Sequence, residues 1–169
     1  MKTLIALACA AASAQTPAAH VRTDFHFTAN LPYDEAFPLF GAWAERKWAA
    51  DWQPRFVYPL PPADVEGAVF RVDAGAAHKS VWTLTRFDKA AGRVQYVYVL
   101  NDVLLTRIDI AVTRRGEGQS DVAVAYERTA LDPAGEEHVR KLAAHDSKAG
   151  AEWEKAINDY AGRVKAGRR

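Results

Sequence analysis

The sequence predicts an α+β domain in which a curved antiparallel sheet of about seven strands wraps around one long C-terminal helix. The prediction rests on a run of short alternating segments joined by tight turns, which gives way near Gly135 to one long amphipathic pattern. The chain has 169 residues, of which 49% are hydrophobic and 25% charged, enough for one domain whose core needs no disulfide or metal. A sheet that closes on a helix leaves a cavity between the two layers, where a ligand can bind.

The N-terminal part of the domain predicts one strand followed by two short helices. In residues 21–29, Phe25 and Phe27 alternate with polar side chains, as in a half-buried strand. Pro32 is placed to open the first helix, and a second helical piece is expected at residues 43–48.

The proline-rich segment 51–62 excludes a long helix and leaves residues 56–58 as a brief edge strand. Beyond it the pattern becomes regular, and each gap carries turn residues such as Gly or the pair Asn101-Asp102. Connections this short make neighbouring strands antiparallel. The five strands are expected at residues 67–73, 79–87, 93–100, 103–113 and 121–131.

Alternation within these strands indicates which face of the sheet is enclosed. Apolar and aromatic side chains share one register, and most charged side chains share the other. The alternation places Arg107 on the solvent-exposed face of the sheet. Arg128 is expected near the end of its strand, as an ion-pair partner at the surface. The enclosed set comprises Phe70, Val72, Trp82, Leu84, Val94, Tyr96, Tyr98, Leu104, Thr106, Ile108, Ile110, Val122, Val124 and Tyr126.

The terminal helix carries an apolar stripe that can cover the sheet. Asp146 interrupts this stripe, where a carboxylate would be desolvated unless it finds a partner, and Gly150 favours a bend or close packing. We expect the domain to span residues 21–163 and the basic residues 164–169 to form a frayed tail. The stripe consists of Val139, Leu142, Ala149, Trp153, Ala156, Ile157 and Tyr160.

The composition of the first residues is typical of a targeting segment and not of a structural element. Residues 1–14 have a positive start, an apolar run and a small-residue cleavage site, which together predict a signal peptide, followed by a linker at 15–20. The protein is then expected to be exported, to the periplasm, without its only cysteine, Cys9. One alternative is that this segment is a disordered tail. The other is that the start codon is misassigned, in which case the protein is cytoplasmic. The apolar run is too short for a transmembrane helix, which needs about 20 residues.

Composition and spacing argue against several classes of function. Lys and Arg number 22 and Asp and Glu 21, so no net charge attracts nucleic acid. His138 and His145 stand about 10 Å apart along a helix, too far to share one metal ion, and no metal site is expected. No serine-hydrolase turn or phosphate-binding loop occurs in the sequence, and no cofactor is expected.

Three segments of the sequence resemble those of a known superfamily. They are residues 29–37 (ANLPYDEAF), 45–54 (ERKWAADWQP) and 125–131 (AYERTAL). With the order of elements, they resemble the helix-grip fold of the START-like superfamily (SRPBCC, birch-pollen-allergen-like), which includes polyketide cyclases and lipid-transport proteins. The resemblance implies a ligand cavity between the sheet and the last helix. The expected ligand-binding residues are Trp48, Trp52, Phe56, Phe70, Trp82, Leu84, Tyr96, Tyr98, Ile108, Val124, Tyr126 and Trp153.

Three functions are compatible with these observations. The first is binding, and with it transport or sequestration, of a hydrophobic or amphipathic small molecule such as a lipid or an aromatic compound. The second is an enzyme of the polyketide cyclase or dehydratase kind, in which Asp146 or Tyr126 moves a proton. The third is a protein-interaction module whose core is filled by its own aromatic side chains.

Overall fold

The computed structural model describes residues 18–73 and 79–167, so the expected signal peptide at 1–14 lies outside the described residues. The described residues form two α-helices, one after the first strand and one after the last. Short 3-10 helices at Phe37–Phe40 and Glu45–Lys47 follow the first α-helix. The elements are β1 (His20–Ala29), α1 (Tyr33–Ala36), β2 (Arg55–Tyr58), β3 (Val69–Asp73), β4 (Lys79–Asp88), β5 (Arg93–Leu100), β6 (Leu104–Arg114), β7 (Ser120–Ala130) and α2 (Pro133–Ala166).

The seven strands form one antiparallel sheet in the order β1-β7-β6-β5-β4-β3-β2. Strands β2 to β7 follow one another as a meander, and β1 adds to the outer edge of β7, with Phe25 opposite Val124. The short strand β2 occupies the other edge, as the prolines around it predict. The α+β fold class is therefore confirmed.

The long helix α2 packs across the concave face of the sheet, chiefly against β1 and β7. Asp132 caps its N-terminus, and the Asp132 carboxylate accepts a 3.1 Å hydrogen bond from the Gly135 backbone N–H. The helix begins at Pro133 and continues to Ala166, beyond the expected domain limit at residue 163. Gly150 lies where α2 crosses β1 closely, because a Cβ there would stand 3.1 Å from the Cβ of Phe25.

Burial along the strands follows the alternation expected from the sequence. Phe70, Leu84 and Val94 are almost fully buried, and β7 alternates without a break from Ser120 to its end. That regularity includes Arg128, which points to the enclosed face with only 4% of its surface exposed. The placement of Arg128 at the surface is therefore wrong, because the strand continues past it to Ala130 and keeps its register.

Candidate functional site

A cavity of about 180 Å³ lies between the concave face of the sheet and α2. Its lining combines side chains from the sheet with Ala149 and Trp153 of the helix and Glu45 of the second 3-10 turn. The core aromatics therefore do not fill the space between the two layers. Seven of the residues expected to bind a ligand line this cavity, namely Trp52, Trp82, Tyr96, Tyr98, Ile108, Tyr126 and Trp153.

The other residues expected at the site pack into the hydrophobic core around it. Phe70, Leu84 and Val124 are at most 1% exposed. Trp48 and Phe56 pack beside them, with the Phe56 and Phe70 rings stacked at 5.4 Å between centroids. Five lining residues were absent from the expected binding set and from the proposed catalytic pair: Glu45, Ile110, Arg128, His145 and Ala149.

Rings in the cavity wall hold one another in place. Trp82 stacks on Tyr98 with 3.9 Å between ring centroids, and Trp52 meets Trp82 nearly at a right angle, 5.2 Å away. Across the cavity, Trp153 packs edge-on against Trp48 at 5.2 Å. Interlocked rings of this kind form a rigid apolar wall.

A buried ion pair joins the sheet to α2 at one end of the cavity. The Nη2 of Arg128 lies 2.7 Å from Oδ1 of Asp146, and its Nε donates a 2.9 Å hydrogen bond to Oδ2. Both side chains are at most 5% exposed. This two-pronged geometry compensates the loss of hydration that both charges suffer on burial.

Neutral side chains complete the hydrogen bonding of the pair. The Nη1 of Arg128 donates to the hydroxyls of Tyr98 at 2.7 Å and Thr106 at 3.0 Å, and Thr23 of β1 donates to Asp146 at 2.9 Å. Burial disfavours the charged guanidinium, but the hydrogen bonds and charge interactions with Asp146 and Tyr98 together outweigh this cost and raise the pKa of Arg128. The Asp146 carboxylate thus accepts three hydrogen bonds, an arrangement typical of a structural ion pair.

Glu45 differs from Asp146 in having no partner among residues 18–73 and 79–167. Within the described part of the chain, no hydrogen bond or ion pair reaches its carboxylate, although the side chain is only partly exposed and lines the cavity. Burial, reinforced by the negative charge of Asp64, raises the pKa of Glu45 from 4.5 to about 8. This carboxyl therefore changes its charge near neutral pH, next to the volume available to a ligand.

Hydrogen bonds to the backbone fix the segment that carries Glu45. Asp64 accepts from the Trp43 N–H at 2.6 Å and the Ala44 N–H at 3.0 Å, at the start of the 3-10 turn. The indole of Trp52 donates to the Ala42 carbonyl at 2.7 Å. Glu45 and Trp52 both line the cavity, but only the single 3-10 turn Glu45–Lys47 lies between them, so no helical periodicity in the sequence could have placed Glu45 there.

Two tyrosines at the site remain neutral phenols. Tyr96 donates a 2.6 Å hydrogen bond to the Phe40 carbonyl, and burial raises its pKa well above the ordinary value. Burial and then the charge of Asp146 raise the pKa of Tyr126 as well. The Arg128 guanidinium lies over the Tyr126 ring, 4.6 Å from its centroid.

No protein-family model matches the sequence, and no curated protein matches it. Solved structures do resemble it along most of its length. Norcoclaurine synthase from Thalictrum flavum, in complex with dopamine and hydroxybenzaldehyde, has a TM-score of 0.63 at 10% identity, over 96% of this chain and 98% of that one. The protein has the helix-grip fold. Further helix-grip structures include Ara h 8.0201, with a TM-score of 0.61 at 15% identity over 84% and 97% of the two chains.

A third helix-grip relative, an uncharacterized protein from Rhizobium leguminosarum, has a TM-score of 0.60 at 16% identity over 86% and 97% of the chains. At such identities the likeness concerns the fold, which hosts unrelated functions. In residues 18–73 and 79–167, the side chains form no cluster of three or more metal-binding groups. Nor does this part contain a helix of the length and apolarity needed to cross a membrane.

Proposed function

We propose that the protein binds a small hydrophobic or amphipathic molecule, of about the size of one substituted aromatic ring, between its sheet and α2. The observation that carries the proposal is the cavity of about 180 Å³ whose lining includes six Trp and Tyr rings. An apolar cavity of roughly 150 Å³ accommodates benzene, whereas drug-sized ligands occupy roughly 300–1,000 Å³. A cavity of this volume therefore favours a single-ring compound over a long-chain lipid.

The complex of norcoclaurine synthase supports this size class. Its ligands, dopamine and hydroxybenzaldehyde, each contain one aromatic ring, and they are bound by a protein of the same fold. In this chain the apolar walls supply most of the binding free energy, at about 25 cal/mol per Å² of ligand surface removed from water. The proposal includes export to the periplasm through the leader at 1–14, which would make the protein a carrier or scavenger outside the cytoplasm.

Filling the cavity from α2 tests the proposal. Ala149 lines the cavity and is 4% exposed, so Ala149→Leu places an isobutyl group in the volume that a ligand would use. We expect binding of benzyl alcohol, measured by calorimetry or tryptophan fluorescence, to weaken at least tenfold, about 1.4 kcal/mol. Ala144→Leu, on the exposed face of the same helix, is the matched control and should bind as the unaltered protein does. Equal binding by both variants would contradict the proposal.

One observation favours an enzyme as a second candidate. Glu45 presents to the cavity a carboxyl that has no partner among the described residues and whose pKa burial raises to about 8, which suits a general acid or base at neutral pH. Native mass spectrometry of the protein, followed by organic extraction, would supply candidate substrates. For a neutral extracted compound, Glu45→Gln should retain binding and lose turnover by roughly 10²-fold or more. Turnover that survives in this variant would exclude Glu45 as the proton-transfer group.

A further inference from the structure

The polar groups around the cavity differ in whether they already have partners. Arg128 and Asp146 neutralise each other and share their remaining hydrogen bonds with hydroxyl groups. The hydroxyl of Tyr96 is committed to a backbone carbonyl, and the indole N–H groups of Trp52 and Trp82 donate to neighbouring oxygens. These groups therefore have few hydrogen-bonding positions left for a ligand.

Glu45 is the acidic lining group that lacks a partner in the described ranges, 18–73 and 79–167. The ion pair contributes no net charge, so Glu45 gives this site its negative character when ionised. Asp64 reinforces that character, because its carboxylate acts on Glu45 from behind the 3-10 turn. The basic neighbours Arg46 and Lys47 are exposed and act on Asp64. An incoming cation would satisfy a carboxylate that the fold itself leaves unpaired.

The walls beside Glu45 suit the same class of ligand. Aromatic rings attract cations through the negative charge density of their faces, and aromatic cages recognise quaternary ammonium ligands in this way. Trp52, Trp82 and Trp153 line this cavity together with Glu45. A purely apolar ligand would use the rings but would leave the carboxyl without a partner.

We propose that the ligand of this cavity is a small organic cation, an ammonium group on a hydrophobic or single-ring body, with Glu45 as its counter-ion. This inference rests on the proposed binding function and specifies the charge of the ligand. The ammonium donates hydrogen bonds to the Glu45 carboxylate, and the body of the ligand packs between the aromatic walls.

The proposal has a characteristic dependence on pH. Glu45 must lose its proton to pair with a cation, so affinity for a cation rises with pH until about pH 8. A neutral hydrogen-bond acceptor would show the opposite sign, because it requires the protonated carboxyl. The ionisable groups that act on Glu45 or share its cavity are Asp64, Tyr96, Tyr98, Tyr126, Arg128, His145 and Asp146.

Calorimetric titration of the full chain with three matched probes tests the inference: benzylammonium, benzyl alcohol and benzoate, each between about pH 6 and pH 8. An alkylammonium group stays protonated over this range. We expect benzylammonium to bind at least tenfold more tightly than benzyl alcohol at about pH 8, and to weaken by up to roughly tenfold per pH unit below it. In Glu45→Gln both the preference and the pH dependence should disappear. Glu154→Gln, which removes an exposed carboxylate from α2, should preserve them.

The outcomes separate this inference from the proposed function. Benzyl alcohol or benzoate binding as tightly as benzylammonium, or cation affinity that falls with rising pH, would overturn the cationic ligand and leave the binding function intact. A pH dependence that persists in Glu45→Gln would assign it to another ionisable group and equally overturn the role of Glu45. If none of the three probes binds, the proposed single-ring binding function itself fails.

Discussion

Replacing Asp146 with Asn is expected to lower the free energy of unfolding by about 3–5 kcal/mol, because it removes the charge that compensates a buried guanidinium. Arg128 would keep its hydroxyl partners but would remain an uncompensated cation between the sheet and α2. Urea unfolding at neutral pH, followed by circular dichroism, measures the change through the midpoint and slope. A shift this large is a substantial part of the stability of a domain of this size.

Two further variants show whether charge compensation is the cause. Asp159→Asn removes one partner of the exposed pair between Lys155 and Asp159, whose nitrogen–oxygen distance is 2.6 Å, and should cost less than about 1 kcal/mol. Replacing both buried partners, as Arg128→Met with Asp146→Leu, should recover much of the stability lost in the single variant. A single Asp146→Asn variant no less stable than Asp159→Asn would refute the structural role of the buried pair.

The second large effect concerns pH and Glu45. Burial raises the pKa of this carboxyl to about 8, so the folded protein holds a proton that the unfolded chain has already released above about pH 4.5. Because the folded state binds more protons between these values, its stability falls as pH rises through this window. The shift corresponds to roughly 3–5 kcal/mol, and the partial exposure of the side chain favours the lower end.

Glu45→Gln should remove most of this pH dependence and make the protein more stable than the unaltered chain above about pH 8. The amide has nearly the same shape as the carboxyl and never ionises. Thermal unfolding at a series of pH values between about 4 and 9 gives the comparison. A smaller slope should remain, since burial also raises the pKa of Asp64. Glu154→Gln, at an exposed position, should leave the profile unchanged. A parallel profile for Glu45→Gln would contradict the assignment.

These two carboxylates occupy opposite roles at one cavity. Asp146 is fully engaged and holds α2 to the sheet, whereas Glu45 lacks a partner in the part of the chain that the structure describes and costs stability when it ionises. An ionisable group maintained at such a cost is commonly associated with function, since a structural role would be served by a partner or an apolar side chain. The proposed catalytic candidate Asp146 is therefore better explained by structure, and Glu45 is the group available for chemistry or ligand pairing.

The order and type of the elements were predictable from local patterns. Residues alternate with a period of two along β4 to β7 and change near Asp132 to the helical period, with turn residues between them. The buried position of Arg128 was predictable by the same parity that places Tyr126 inside. The prediction for Arg128 was wrong because a cation on the enclosed face was attributed to the end of the strand. Its partner, Asp146 on α2, cannot be identified from local patterns.

Tertiary structure decided which of the enclosed side chains face a ligand and which fill the core. Trp48 and Trp52 are four residues apart in the sequence, yet only Trp52 lines the cavity, because the curvature of the sheet and the crossing of α2 determine where space remains. Charge was decided in the same way. In the sequence, Glu45 and Asp146 are simply two carboxylates. Contacts between distant segments gave Asp146 an arginine, whereas Glu45 has no partner among the described residues. Partners 18 or more positions apart depend on tertiary packing and not on local periodicity.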